Sequence, residues 1–196
     1  PPFQHAEVVI DGETRVVAGF DPRILDVLGG NLYSGNLDLV GVKEMIQNAV
    51  DAVRGRADAK ITVTAKGKRL IVQDNGAGMT RAVLVKEFVD IGGTLKAIGS
   101  SGGFGIAKVA ILANAAKIRV VSVADTLAGR MKHTLTGTGE GWKDKDVGMK
   151  IEGEAAPDEP TGTTVDVTLK DDVRADDYPL RAWLIRMLAW STVPVK

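Results

Sequence analysis

Three polar or glycine-rich boxes stand in a fixed order between Glu44 and Lys108, and they constrain the fold more than any other feature of the chain. The first is Glu44-Met-Ile-Gln-Asn48-Ala-Val-Asp51-Ala52. On a helix of about 100° per residue, Glu44, Asn48 and Asp51 fall within roughly 60° of arc. Val42, Met45, Ile46, Ala49 and Val53 fall on the opposite side. One face is therefore apolar and buries, and the other carries two carboxylates and an amide in a row. The second box, Asp74-Asn75-Gly76-Ala77-Gly78-Met79, follows Arg69–Gln73, which reads as a strand. The third, Gly99-Ser-Ser-Gly102-Gly103-Phe104-Gly105-Ile-Ala-Lys108, runs into the apolar helix Val109–Ala116. Glycines before a helix leave backbone N–H groups at its positive end, where an anion can bind.

Each box alone has an ordinary explanation. A helix with one polar face is commonly a solvated helix, Asp-Asn-Gly is a common hairpin turn, and a glycine-rich stretch is often only a loop. Their joint order, strand before the second and helix after the third, is a nucleotide-site pattern.

With these boxes the chain resembles the GHKL ATPases. That superfamily includes the ninety-kilodalton heat-shock chaperones, type II topoisomerase ATPase domains, MutL-type repair proteins, MORC-type ATPases and histidine kinases. The matching residues are Glu44-x-x-x-Asn48-Ala49-x-Asp51-Ala52, Asp74-x-Gly76-x-Gly78-Met79, Gly102-x-Phe104-Gly105 and a late Gly162-Thr163-Thr164-Val165. Leu32-Tyr33-Ser34 before the first box makes the chaperone type the nearest resemblance. The resemblance implies an α+β two-layer sandwich, a mixed but mostly antiparallel sheet covered on one face by helices. It implies ATP or ADP with Mg2+ as ligands and slow ATP hydrolysis that closes a lid and drives a clamp.

The chemistry required agrees with those roles. ATP hydrolysis needs charge neutralised, phosphates held and a water activated. A magnesium ion keeps several waters and takes few protein ligands, so the Asn48 amide oxygen suffices as its protein ligand. Glu44, one turn earlier, is placed to take a proton from the attacking water. Asp51 is expected to orient the site or bond to water near it. The resemblance makes Asp74 the reader of the adenine amino group, since an ionised carboxylate only accepts hydrogen bonds, with Thr163 helping through water. Gly76 and Gly78, followed by Met79, are expected to let backbone approach the base. Gly102, Gly103 and Gly105, around Phe104, are expected to offer N–H groups to the phosphates. The segment Ile91–Ser101 corresponds to the lid.

The chain also departs from the chaperone pattern. Ala107 stands where that pattern has a further glycine, so Gly103-Phe-Gly105-Ile-Ala107 is more like the histidine-kinase version. Lys108 is either a phosphate contact or a surface residue, and Lys96 is a second candidate cation. The catalytic arginine or lysine of these families comes from a following domain. No Gly-x-x-x-x-Gly-Lys-[Ser/Thr] loop is present. Two other functions stay open: a histidine-kinase or anti-sigma type of protein kinase, and a nucleotide-binding switch with little hydrolysis. Glu44 and Asp51-Ala52 favour the clamp, and neither His5 nor His133 suits a phosphoacceptor on a dimerising helix.

Composition bounds the rest. The 196 residues fit one domain with a real core. Lys+Arg and Asp+Glu are 25 each, which argues against a domain that coats nucleic acid. No cysteine is present, so disulfide, thiol and Cys-zinc chemistry are excluded. A cytoplasmic, membrane-free location is the expectation, with a homodimer on ATP binding and a following domain as partners. The basic residues Arg54, Arg56, Lys60, Lys66, Lys68 and Arg69 read as ordinary surface.

Along the chain, strands are expected at Val8–Ile10 and Thr14–Val17 about Asp11-Gly12, at Ala59–Ala65 and Lys68–Gln73, at Lys117–Val123 and Gly129–Leu135 about a turn at Asp125, at Val147–Ile151, and at Thr163–Leu169. Helices are expected from Asp21 to Leu28, from a cap at Asn36 or Asp38 to about Arg54, from Thr80 to about Val89, and over Tyr178–Trp190. Gly137–Gly141 and Glu154–Pro160 read as loops. The apolar stripe of the last helix, before Ser191-Thr-Val-Pro194-Val, reads as a join to another domain of a longer protein.

Overall fold

A computed structural model describes residues 5–19, 37–90, 112, 114–170, 182–183 and 185–186. Alternating strands build an eight-stranded sheet: β1 Ala6–Ile10, β2 Glu13–Val17, β3 Ile61–Lys66, β4 Arg69–Asp74, β5 Ala115–Thr126, β6 Gly129–Gly137, β7 Met149–Ala155 and β8 Gly162–Leu169. Their order across the sheet is β1-β2-β7-β6-β5-β8-β4-β3. The expected mostly antiparallel sheet is found, and every pairing among the described residues is antiparallel. The last strand, β8, is inserted between β4 and β5.

The first hairpin forms as its turn residues dictate. Asp11 and Gly12 both take positive φ, 51° and 76°, as a two-residue turn between twisted strands requires. Elsewhere the boundaries move. The β3–β4 turn lies at Gly67-Lys68, one residue later than expected, and the β5–β6 turn at Leu127-Ala128 rather than Asp125. β7 extends through Glu154 into the expected loop. Gly137–Gly141, also expected as loop, instead holds the end of β6 and the start of a short helix, α3, Gly139–Lys143. Thr138 caps it by accepting a hydrogen bond from the Gly141 N–H at 2.9 Å. Trp142 anchors it in the core at 1% exposure, a burial that contributes about 1.5–3 kcal/mol or more for so large a side chain.

Two further helices lie on the same face of the sheet. α1, Leu37–Ala52, buries Val42, Met45, Ile46 and Ala49, and Val53 just beyond it is buried too. Asp38 lies inside α1 and is not its cap; Asn36 is outside the described residues. α2, Arg81–Phe88, buries Leu84 and Val85. Thr80 occupies its N-cap position without a side-chain capping bond. The C-terminal end of α2 is tied down twice. The buried Asp90 accepts the His5 N–H at 2.8 Å and lies 3.0 Å from His5 Nδ1, and Trp142 Nε1 donates to the Val89 carbonyl at 3.3 Å.

The opposite face of the sheet is polar. Arg69 forms a two-pronged bond to Asp166 at 2.9 and 2.7 Å, Lys132 pairs with Glu154 and Glu159, and Lys150 with Glu13 and Glu152. This is the pattern of an antiparallel sheet wet on one side. Of the basic cluster, Arg54, Arg56 and Arg69 are each held in ion pairs, consistent with ordinary surface. Trp183 packs against the core beneath the Lys43 ammonium, 4.8 Å from its ring centre. The Asp21–Leu28 helix, the Leu32-Tyr33-Ser34 motif, the Ile91–Ser101 segment and most of the Tyr178–Trp190 helix lie outside the described residues.

Candidate functional site

The cavity lies between α1 and the strands β4 and β8, and its volume is about 220 Å³. Its walls are mainly apolar: Met45 and Ala49 of α1, Val72 of β4, Val165 of β8, Val83 and Phe88 of α2, and Leu112. Four of the expected polar site residues converge on it, Glu44 and Asn48 from α1, Asp74 from β4 and Thr163 from β8. Gly78 and Met79 line it as well, from the loop between β4 and α2, and Glu87 joins from α2. A largely apolar cleft with a few convergent polar groups is the usual form of a small-molecule site.

Asp74 ends β4 with its side chain turned inward, and it is buried. Burial pushes its carboxyl above the ordinary 3.8, while backbone N–H groups of Gly76 and Thr163 and the charge of Arg56 pull the other way. Gly76 N–H donates to Asp74 Oδ1 at 2.8 Å. A buried carboxylate held by two backbone donors has a fixed direction and spare lone pairs. It can therefore accept hydrogen bonds from a ligand's amino group.

The loop after Asp74 is not a hairpin turn. Asn75 reaches sideways, with its Oδ1 accepting the Lys60 N–H and its Nδ2 donating to the Asp58 carbonyl, both at 2.7 Å. Gly78 sits at φ 68°, and a Cβ there would lie 1.9 Å from the Val123 carbonyl oxygen. Its lack of a side chain is thus required by close packing of this loop on β5, a reason that the sequence alone did not supply.

Sheet register explains why distant residues meet here. Asp74 pairs with Thr163 across β4–β8, Thr163 with Ser122 across β8–β5, and Ser122 with His133 across β5–β6. These four residues form a row along the helix-covered face. With Asp90 they are the buried polar side chains among the described residues. Ser122 Oγ accepts the Met79 N–H at 2.7 Å and lies 3.0 Å from Thr163 Oγ1. Sequence reasoning missed Ser122. The signal was its parity: it alternates with Ile118, Val120 and Ala124, so the strand pattern points it inward. His133 is buried beside it, and burial with the nearby Arg81 charge holds its imidazole below the ordinary 6.5.

Not every expected residue joins the cavity. Asp51, on the same arc of α1 as Glu44 and Asn48, does not line it. Its carboxylate is bound instead by Arg54 at 2.6 Å and Gln47 at 3.2 Å. Gly76 serves Asp74 rather than the wall. Gly102, Gly103, Phe104, Gly105, Lys96 and Lys108 lie outside the described residues.

Residues 38–147 match the family model of the histidine kinase-, DNA gyrase B- and HSP90-like ATPases. The chain belongs to this family. Comparison with curated proteins finds no match. The matched stretch of the ATPase domain runs from α1 to just beyond α3, so it contains Glu44, Asn48 and Asp74. Thr163 lies outside it, and the sheet brings it to the cavity through β8. Membership of this family supports ATP binding by the domain.

Magnesium can be tested against the donors present. Among the described residues no cluster of three His, Asp or Glu side chains could hold a metal. The cavity offers the Asn48 amide and the Glu44 carboxylate. That sparse oxygen set fits an ion that keeps its waters and is shared with phosphates. Among the described residues no helix is long and apolar enough to cross a membrane.

Proposed function

We propose that this domain binds Mg-ATP or Mg-ADP with the base at Asp74 and Thr163 and the phosphates toward α1, and that it hydrolyses ATP slowly with Glu44 as general base. One observation carries the reading. A single cavity joins a buried carboxylate at the end of β4 to a carboxylate and an amide one turn apart on α1. The first is suited to a donor group on a purine, and the second pair to a metal-bound phosphate and its attacking water.

In this reading Asp74 accepts the amino group of adenine, and the apolar walls take the faces of the ring. Glu44 removes a proton from the attacking water, and the N–H groups of Gly102, Gly103 and Gly105 take the phosphates. Magnesium, when bound, would be held by Asn48 and would supply neutralising charge to the phosphates. The reading extends to a chaperone-like clamp, with Ile91–Ser101 as lid, an ATP-dependent homodimer and a following domain that completes the site; Glu44 and the Asp51-Ala52 pair favour it over the kinase. The kinase alternative draws no support from the two histidines. His133 is buried in β6 and His5 is tied to Asp90, and neither stands on a helix.

Incubation of the purified chain with ATP labelled at the γ-phosphate tests this. The expected product is free phosphate, formed slowly, with ADP. Label retained on protein would establish the kinase reading instead. ATP bound without either product would leave only the switch.

A further inference from the structure

Ser122 is fully buried and does not line the cavity, yet it touches two residues that do. Its Oγ accepts the Met79 backbone N–H at 2.7 Å and is within 3.0 Å of Thr163 Oγ1. The Gly162 carbonyl, 3.4 Å away, is a second acceptor for its proton. A serine hydroxyl has one proton and two lone pairs. The Met79 N–H occupies one lone pair. The remaining proton and lone pair decide how the Thr163 hydroxyl is used. When Ser122 donates to Thr163, the shorter of its two choices, the Thr163 proton is released toward the cavity. When Ser122 donates to Gly162, Thr163 spends its proton on Ser122 and shows the cavity only lone pairs.

We propose that Ser122 is a positioning residue for ligand binding, which orients the Thr163 hydroxyl at the β8 wall of the cavity while it clamps the Met79 backbone. The inference rests on the ATP reading above. Ser122 never meets the ligand, so its influence passes through Thr163 and Met79. The same geometry explains why a polar side chain is tolerated at a strand position otherwise given to Ile118, Val120 and Ala124. A buried hydroxyl is costly unless its bonds are made, and here they are made to both walls of the site.

The test is a double-mutant cycle read by calorimetric ATP binding, with the unfolding midpoint of each variant measured alongside. The parent chain is measured first. Ser122→Ala should weaken ATP binding about fivefold to tenfold, the loss of one well-made hydrogen bond. In a Thr163→Val background the same change should have an effect at least about threefold smaller, because contacting residues couple and independent ones do not. Ser122→Cys keeps the shape of the side chain but is a weak hydrogen-bond partner. It should fold like the parent and bind ATP as poorly as the alanine variant, which keeps the test decisive if Ser122→Ala unfolds. Equal losses in both backgrounds, or parental affinity in Ser122→Cys, would overturn the role of Ser122 and leave the ATP reading intact. A parent chain that binds no ATP would end the ATP reading and this inference with it.

Discussion

At the β4–β8 end of the cavity Asp74 and Thr163 are buried, whereas at the α1 end Asn48 is exposed and Glu44 half-buried. The first end is fixed by sheet register and by backbone donors on the carboxylate. The second is carried by one helix and stands nearer to solvent. Buried, cross-braced groups open only with large parts of the fold, while exposed ones move at little cost. In the ATP reading proposed above, the braced end would recognise the base and the more exposed end would carry the chemistry, where a water and a phosphate must enter and leave.

The largest expected effect separates these two assignments. Glu44→Ala should lower ATP turnover by about 10²–10⁴-fold, the usual worth of a general base, with ATP affinity nearly unchanged. Single-turnover phosphate release beside calorimetry measures both quantities, and a parental rate would remove Glu44 from its role. Asp74→Asn should do the reverse. It places a donor where a donor arrives and should weaken ATP binding by about tenfold to a hundredfold.

The two buried titrating groups sharpen the comparison through stability. Asp74 has its folded pKa raised by burial, so its contribution is fully present below the unfolded value of 3.8 and is lost as pH rises through the folded pKa. Asp74→Asn should therefore be at least as stable as the parent at pH 7 while binding ATP worse. His133 is held below 6.5, so its contribution is present above 6.5 and is lost as pH falls toward the folded pKa. Urea unfolding between pH 7 and pH 5 should show a smaller acid loss in His133→Gln than in the parent. An identical slope would show that His133 is not the group titrating. The smallest effect belongs to the wet face. Arg69→Ala breaks the pair with Asp166 and should barely move the urea midpoint, since exposed ion pairs contribute little, with no change in ATP affinity.

The same contrast governs what the sequence revealed. The buried stripe of α1 was legible because a period of 3.6 residues leaves little choice, and Val42, Met45, Ile46, Ala49 and Val53 are all buried. Asp74 and Thr163 were legible as motif residues, but their meeting depends on β8 entering beside β4, which no local pattern encodes. The turn misplaced at Asp125 has a physical cause. Asp125 reads as a turn former, yet its carboxylate bonds Arg130 across the hairpin at 2.8 Å and keeps both strands going. Glu154 falls in the expected loop Glu154–Pro160 and is instead a strand residue paired with Lys132 on the wet face. Asp51 shares the helical arc and the first box with Glu44 and Asn48, yet its carboxylate bonds the neighbouring Arg54 and Gln47 and does not line the cavity.

The insertion of β8 between β4 and β5 bears on how the protein is made. A ribosome releases β3, β4, β5, β6 and β7 before β8, so the β3–β4 hairpin and the β5–β6–β7 meander emerge with the facing edges of β4 and β5 both unpaired. Such edges are open to pairing with other chains. The Arg69 and Asp166 pair and the Asp74 and Thr163 pair arise together, when Gly162–Leu169 slots in and closes the sheet. Contacts between residues so far apart in the chain slow folding. The cavity is therefore complete only once β8 has been made, and a nascent chain halted before Gly162 carries Glu44, Asn48 and Asp74 without Thr163 and Val165.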